Sequence, residues 1–309
     1  MTTLRLGTRA SRLARHQSEL VAATIQDALG VDVTLVPVVS EGDRTSAPLA
    51  QIGGTGVFVT AVREALVHRN VDLVVHSLKD LPTVDDDRVR LAAVPPRSDP
   101  LDALFARDGL TLGELPRGST VGTGSPRRAA QLHALGLGLD VVAIRGNVDT
   151  RLSKVRSGEV DAVVLARAGL LRLGRDDEVT EIIDPIQMLP APGQGALAVE
   201  VASTSLGLGD DIADALDDGP SRAAVTAERA LLRALEAGCS APVGGLGDIA
   251  EADDGLELWL RGVVVSPDGS RLVRLSSSGP VDDPDSVGRL LAEHLLAAGA
   301  DSIMQLVAS

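Results

Sequence analysis

Cys239 is the one cysteine of the chain, and it stands in a loop-like setting, Glu236-Ala237-Gly238-Cys239-Ser240-Ala241-Pro242. Gly238 and Pro242 both interrupt regular structure. A thiol on such a turn suits covalent chemistry, whereas a structural cysteine behaves as a small buried hydrophobe. A second reactive grouping is His76-Ser77-Leu78-Lys79-Asp80, which sets one of the two lysines beside a carboxylate. Asp80 suits general acid/base work, and a cationic pocket would keep it ionised. The plain alternative is a strand-end turn with a surface ion pair. His76, just before the turn, reads as a packed strand-end residue.

Arginines collect at further junctions where a strand gives way to a helix. They are Gly7-Thr8-Arg9-Ala10-Ser11-Arg12, Gly122-Thr123-Gly124-Ser125-Pro126-Arg127-Arg128, and Arg145-Gly146-Asn147 with Arg151 one turn later. In open α/β sheets ligands bind at the carboxyl ends of the strands. Ser125 is a good N-cap and Pro126 fits the first helical position. Arg127 and Arg128 then oppose the helix dipole, by about 0.3–1 kcal/mol each. An anion bound there would reverse that penalty. Ordinary capping with solvated arginines explains any single junction; several on one sheet edge point to an anion site. Multiple guanidinium forks suit a ligand with separated carboxylates. Gly53-Gly54-Thr55-Gly56 lacks the lysine of a phosphate loop and reads as a glycine-rich lid or turn. The five histidines are dispersed and one cysteine cannot build a thiolate cluster, so no metal site is expected.

The totals bound the class. A chain of 309 residues calls for two or three domains. A net charge of -14 argues against nucleic acid as partner. Aromatics are confined to Trp259, Phe58 and Phe105, which leaves no base-stacking platform. No apolar run is long enough for a bilayer, and the N-terminal residues lack a secretory pattern. A single cysteine fits a reducing cytoplasm.

The elements that must position these residues alternate. Strand-like Leu4–Leu6, Val31–Val39, Leu73–His76, Thr120–Gly122, Val141–Ile144 and Ala162–Leu165 interleave with helical Ser11–Leu29, Phe58–His68, Pro126–Leu135, Asn147–Val155 and a helix near Leu170. That pattern predicts parallel sheets covered by helices, an α/β fold. Pro95–Pro100, Leu189–Gly195 and the acidic Gly207–Pro220 are candidate crossings between domains. Beyond them a helix (Ser221–Glu236), two strand-like runs (Leu256–Val265, Arg271–Ser276) and a last helix (Ser286–Ala298) suggest a small α+β domain with Cys239 at its start.

Taken together, the motifs resemble the porphobilinogen deaminase family along nearly the whole chain. The matching stretches are Gly7–Ser11, Gly53–Phe58, Asp72–Pro82, Asp99–Ala103, Gly122–Arg128, Ile144–Leu152, Ala168–Leu173, Pro192–Ala196 and Leu235–Pro242, in the family's order. The resemblance implies two type II periplasmic-binding-protein-like domains, 1–95 with 196–217 and 99–190, plus a C-terminal domain, 219–309. It implies a monomer, and a dipyrromethane joined to Cys239 by a thioether. Onto this primer the enzyme deaminates and links four porphobilinogen molecules, then releases the linear tetrapyrrole by hydrolysis. Asp80 matches the family's catalytic aspartate. Lys79, Ser77, Thr123, Ser125, Arg127, Arg128 and Gln194 match cofactor-binding positions. Arg9, Ser11, Arg145, Arg151, Arg172 and Phe58 match substrate-binding positions.

The chain departs from the family at Thr55, where members commonly have lysine, and at Leu101, where they often have arginine. Two other readings of the residues stand beside the resemblance. A carboxylate-binding protein on the same two-lobed fold would need neither Cys239 nor Asp80. A thiol-nucleophile transferase or hydrolase would need a base near Cys239, and no sequence-local histidine provides one.

Overall fold

The computed structural model describes residues 3–38, 56–237, 241–252 and 255–308, with side chains for all of these but 56–58, 307 and 308. Cys239 and Thr55 lie outside the described residues. The chain forms two compact units: residues 1–98 with 196–222, and residues 99–195 with 223–309.

The first unit is a five-stranded sheet in the order β2-β1-β3-β10-β4. Strands β1 (Thr3–Arg9), β2 (Asp32–Val38) and β3 (Leu73–Ser77) are parallel; β10 (Leu197–Ala202) runs against β3 and against β4 (Val89–Ala93). Helices α1 (Arg12–Leu29) and α6 (Leu206–Leu216) cover one face with Val21, Ile25, Ile212 and Leu216 over Leu6, Leu73, Val199 and Val201. Helix α2 (Gly56–Val67) covers the other, where Val62 and Leu66 meet Val74 and Ala202. Period-2 alternation explains the division: odd positions of β3 and β10 face α1, even ones face α2. His76 and Glu200 fall on the even positions.

The second unit repeats the plan, with the order β7-β6-β8-β5-β9. Here β6 (Thr120–Thr123), β7 (Asp140–Ala143) and β8 (Ala162–Ala166) are parallel, while β5 (Asp102–Ala106) is antiparallel to β8 and to β9 (Glu181–Ile182). Helix α3 (Pro126–Ala134) closes one face, and α4 (Val148–Arg156) and α5 (Arg167–Arg172) the other. In each sheet the reversed strand, β5 or β10, is the first strand laid down after the chain crosses from one sheet to the other. These are the helix-covered, largely parallel sheets that the alternation predicts, in the two periplasmic-binding-protein-like domains that the resemblance implies.

The same unit holds a third, antiparallel sheet, β11 (Val243–Ala252), β12 (Gly255–Val265) and β13 (Leu272–Pro280). Helices α7 (Gly219–Ala234), α8 (Pro284–Ala297) and α9 (Ala300–Ala308) pack on one face through Leu231, Leu291 and Leu295. This is the small α+β domain read from the sequence. Val263 and Val265, on the opposite face, join Ala130 and Leu189 in an apolar cluster. Leu101 packs against that cluster, which gives the aliphatic side chain at this departure a structural home.

Most of Gly207–Pro220, a candidate crossing in the sequence, is helical: α6 runs through it, with Ile212 and Leu216 buried. Its glycine and aspartates hid an amphipathic pattern whose buried Gly209 would set a Cβ 3.2 Å from Val201.

Candidate functional site

In the first unit the carboxyl ends of β1 and β3 carry the predicted groups. Ser11 caps α1, its hydroxyl accepting from the Ala14 N–H at 3.3 Å. Behind the cap, the buried Ser18 hydroxyl donates to Thr8 Oγ1 at 2.8 Å. β3 ends at Ser77, and a single 3₁₀ turn, Leu78–Asp80, follows. The Leu78 N–H donates to the Ala196 carbonyl, which fixes the turn against the start of β10. The turn places Asp80 on the wall of a small open pocket shared with Arg9, Gln17, Val59, His76 and Ser77. Gln17 Nε2 donates to Ser77 Oγ at 3.1 Å, tying α1 to the end of β3. Lys79, half-buried, is on the same turn. Phe58 lies in the first turn of α2, and its side chain is outside the described set. Gln17 went unnoticed in the sequence; its burial to 4 % exposure, beside the buried Ser18, is what marks it in the structure.

In the second unit the Gly122–Arg128 junction forms as its capping chemistry requires. The Ser125 hydroxyl accepts from the Arg128 N–H, Pro126 takes the first helical position, and Thr123 Oγ1 accepts from the Ser125 N–H. At Gly124 a side chain would place its Cβ 2.8 Å from the Ile144 carbonyl and 3.5 Å from the Arg151 guanidinium. Glycine is needed there for the close approach.

A residue of the chain sets a carboxylate at this helix start. Asp102, fully buried on β5, accepts from Arg127 Nη2 at 2.8 Å and from Arg128 Nη2 and Nε at 2.8 and 3.1 Å. Gln194 Nε2 donates to Asp102 Oδ1 and to the Pro100 carbonyl, both at 2.8 Å. Arg127 also reaches the Leu189 carbonyl at 2.5 Å, and Arg128 the Val164 carbonyl at 3.0 Å. Burial opposes the charge of Asp102, but the two guanidiniums outweigh it and hold the carboxyl well below its ordinary range. One internal carboxylate thus pairs with both guanidiniums at the helix start where the sequence suggested a ligand's anion. Asp102 lies inside the motif Asp99–Ala103, yet nothing in that stretch pointed to a partner 25 residues away.

Arg151 and Arg172 differ. The Arg151 Nε donates to the Gly146 carbonyl at 2.9 Å, and Arg172 Nη2 to the Gly195 carbonyl at 2.6 Å. Among the described residues neither guanidinium meets a carboxylate. Burial lowers the pKa of Arg172 to about 10 and also lowers that of Arg151, with the charge of Arg128 as the further cause. Both stay cationic at neutral pH, desolvated and available to an anion. Asn147 caps α4 by accepting from the Thr150 N–H, and the Gly146 φ of 111° turns the chain into it, with exposed Arg145 just ahead. A donor set of this kind fits the acetate and propionate groups of a dipyrromethane.

Each α/β unit gathers guanidiniums and hydroxyls at its strand ends, and the first adds a pocket carboxylate, Asp80. Comparison with known proteins makes the class specific. The family model "Porphobilinogen deaminase, dipyromethane cofactor binding domain" matches residues 4–208, and "Porphobilinogen deaminase, C-terminal domain" matches residues 222–297. A porphobilinogen deaminase of Mycobacterium tuberculosis is 56% identical over 97% of this chain and 98% of its own length. Porphobilinogen deaminase 1 of Streptomyces avermitilis is 56% identical over 97% of each chain. That of Nocardia farcinica is 54% identical over 100% of this chain and 90% of its own. A periplasmic substrate-binding protein of an ABC transporter from Coxiella burnetii has a TM-score of 0.44, with 15% identity, 71% of this chain and 93% of its own covered. The chain belongs to the porphobilinogen deaminase family.

Proposed function

We propose that this chain is a hydroxymethylbilane synthase, joining four porphobilinogen molecules head to tail on a covalent primer, with Asp80 as its catalytic carboxylate and Cys239 as the tether. The observation that carries the reading is the pair of desolvated guanidiniums, Arg151 and Arg172, that meet no carboxylate among the described residues. A chain of pyrroles bearing acetate and propionate is the ligand such a set suits. When bound through Cys239, the dipyrromethane supplies a pyrrole carbon onto which the first substrate is joined. Arg151, Arg172, Arg145, Thr123 and Ser125 hold carboxylates on the second unit, and Arg9, Ser11, Ser77 and Lys79 do so on the first. Arg127, Arg128 and Gln194 act one layer back, through Asp102, by fixing the strand and helix ends. Phe58 is assigned to the pyrrole face.

Asp80 does the repeated work. As the substrate's aminomethyl nitrogen departs as ammonia, positive charge spreads onto the pyrrole ring and its N–H. A carboxylate held on a rigid turn accepts from that N–H and stabilises the charge without reorganising. It also takes the proton released when each carbon–carbon bond forms. The sheet edges lend themselves to a division into three domains, 1–95 with 196–217, 99–190 and 219–309, which the separate apolar clusters of the three sheets support. We place the enzyme in the cytoplasm as a monomer; among the described residues no helix is long and apolar enough to cross a membrane.

The test pairs two measurements. Asp80→Asn should lower turnover at least about 100-fold with an unchanged circular dichroism spectrum. Intact mass of the purified protein should show an adduct on Cys239 that reacts with Ehrlich's reagent as a dipyrrole. An unmodified protein with full activity would rule the reading out.

A further inference from the structure

Beneath the Asp80 pocket lies a buried charge network to which the reaction above gives no part. Arg63, on α2, makes a two-pronged pair with Glu200 on β10, Nε to Oε2 at 2.9 Å and Nη2 to Oε1 at 2.5 Å. Their exposures are 8 % and 2 %. His76, 6 % exposed on the neighbouring strand, sets its Nε2 3.4 Å from the same Glu200 Oε2. That distance is long for a hydrogen bond, but Nε2 is buried and has no closer partner among the described residues. The register explains the meeting: His76 lies opposite Ala198, and Glu200 is the next residue of β10 on the same face. His76 also lines the pocket that holds Asp80.

A buried ion pair of this kind is weak evidence for stability, since an apolar pair of similar volume often does as well. Its geometry has another consequence. We infer that Glu200, braced by Arg63, is a positioning residue that accepts the Nε2 proton of His76 and so presents Nδ1 to the pocket as a hydrogen-bond acceptor beside Asp80. The bond at one ring nitrogen decides the tautomer at the other. With Nε2–H committed to Glu200, Nδ1 carries a lone pair. The pocket then offers a substrate N–H two acceptors from one wall, the Asp80 carboxylate and the imidazole. This rests on the assignment of Asp80 to the substrate's nitrogen. Because α2 bears Arg63, the brace also fixes the helix that begins at Gly56 against the central strands.

The tautomer is read directly from two-bond proton–nitrogen correlation spectra of the ¹⁵N-labelled holoenzyme. Only five histidines need assigning, and His76→Gln identifies the signals. The expected pattern is protonated Nε2 and unprotonated Nδ1; a dominant Nδ1–H form overturns the inference, whatever the activity of any variant. The paired variant Arg63→Met with Glu200→Met replaces the buried charges by apolar side chains of similar length. It should lose the tautomer preference and about tenfold or more in kcat, with KM for porphobilinogen changed less than about threefold. A folded paired variant whose tautomer preference is lost while kcat stays within about twofold of the parent overturns the role in catalysis. If the paired variant does not fold, the parent spectrum decides alone. Asp80→Asn separates the two claims: full activity there removes the Asp80 assignment, while the His76 tautomer still reports on Glu200.

Discussion

Arg127 opens α3 and Arg172 closes α5; burial lowers the pKa of both, but their partners differ. Arg127 is compensated by Asp102 and by a carbonyl. Among the described residues Arg172 meets a single carbonyl and no carboxylate, and burial pulls its pKa down to about 10, a desolvation cost that these residues do not offset. Such a cost is characteristic of a site kept ready for a ligand. Arg172→Met should therefore leave unfolding free energy within about 1 kcal/mol of the parent, because relief of desolvation offsets the lost hydrogen bond. The same variant should raise KM for porphobilinogen, or lower the fraction of protein carrying the Cys239 adduct, by about tenfold. Denaturant melts and intact-mass ratios check both arms; a large stability loss with normal loading would make Arg172 a structural arginine.

Helix α3 illustrates how a junction combines local and distant causes. Its N-cap, its proline and its charged first turn are all local, and they were legible in Ser125-Pro126-Arg127-Arg128. The caps Ser11 and Asn147 were legible for the same reason. What the spacing could not reveal is the partner of those charges, because Asp102 arrives on a strand that pairs with β8 and not with β6. β5 and β10 themselves, short and buried, carry a charged residue each and lack the alternation that marks a strand. The Arg63–Glu200 pair, separated by 137 positions, was hidden in the same way. Asp102 is thus the residue on which the start of α3 depends. Asp102→Asn leaves two buried guanidiniums without a counter-charge and should cost about 3–5 kcal/mol. Arg127→Ala should cost less, since Arg128 still neutralises Asp102. Its effect belongs with cofactor loading, which depends on the placement of Ser125 and Thr123. Urea unfolding of both variants gives the order; an Asp102→Asn protein as stable as its parent would show that the carboxylate is not what fixes this helix.

The two units each bury a depressed carboxylate against guanidinium, so acid stresses both, and they can be told apart. In the first unit, burial opposes the charge of Glu200, but bonds from His76 and Arg63 prevail and hold its pKa at about 2 against an ordinary 4.5. A carboxyl depressed in the folded state contributes stability that is complete above the unfolded value and is lost as pH falls through the folded one. For Glu200 that window runs from about 4.5 down to about 2, and the contribution is on the order of 3 kcal/mol. The half-buried Asp86 and the exposed Asp268, also lowered to about 2, add little because solvent screens them. Trp259, the one tryptophan, sits on β12 of the second unit, so its fluorescence follows that unit while far-UV circular dichroism follows both. Between pH 5 and pH 2.5, replacing Arg63 and Glu200 together by methionine should flatten the acid decline of the dichroism-detected transition, a range set by the Glu200 window. The tryptophan transition, governed by Asp102 and its two arginines, should keep the parent's pH dependence. Parallel acid curves by dichroism in parent and variant would mean that Glu200 is not the carboxyl whose protonation undoes the first unit.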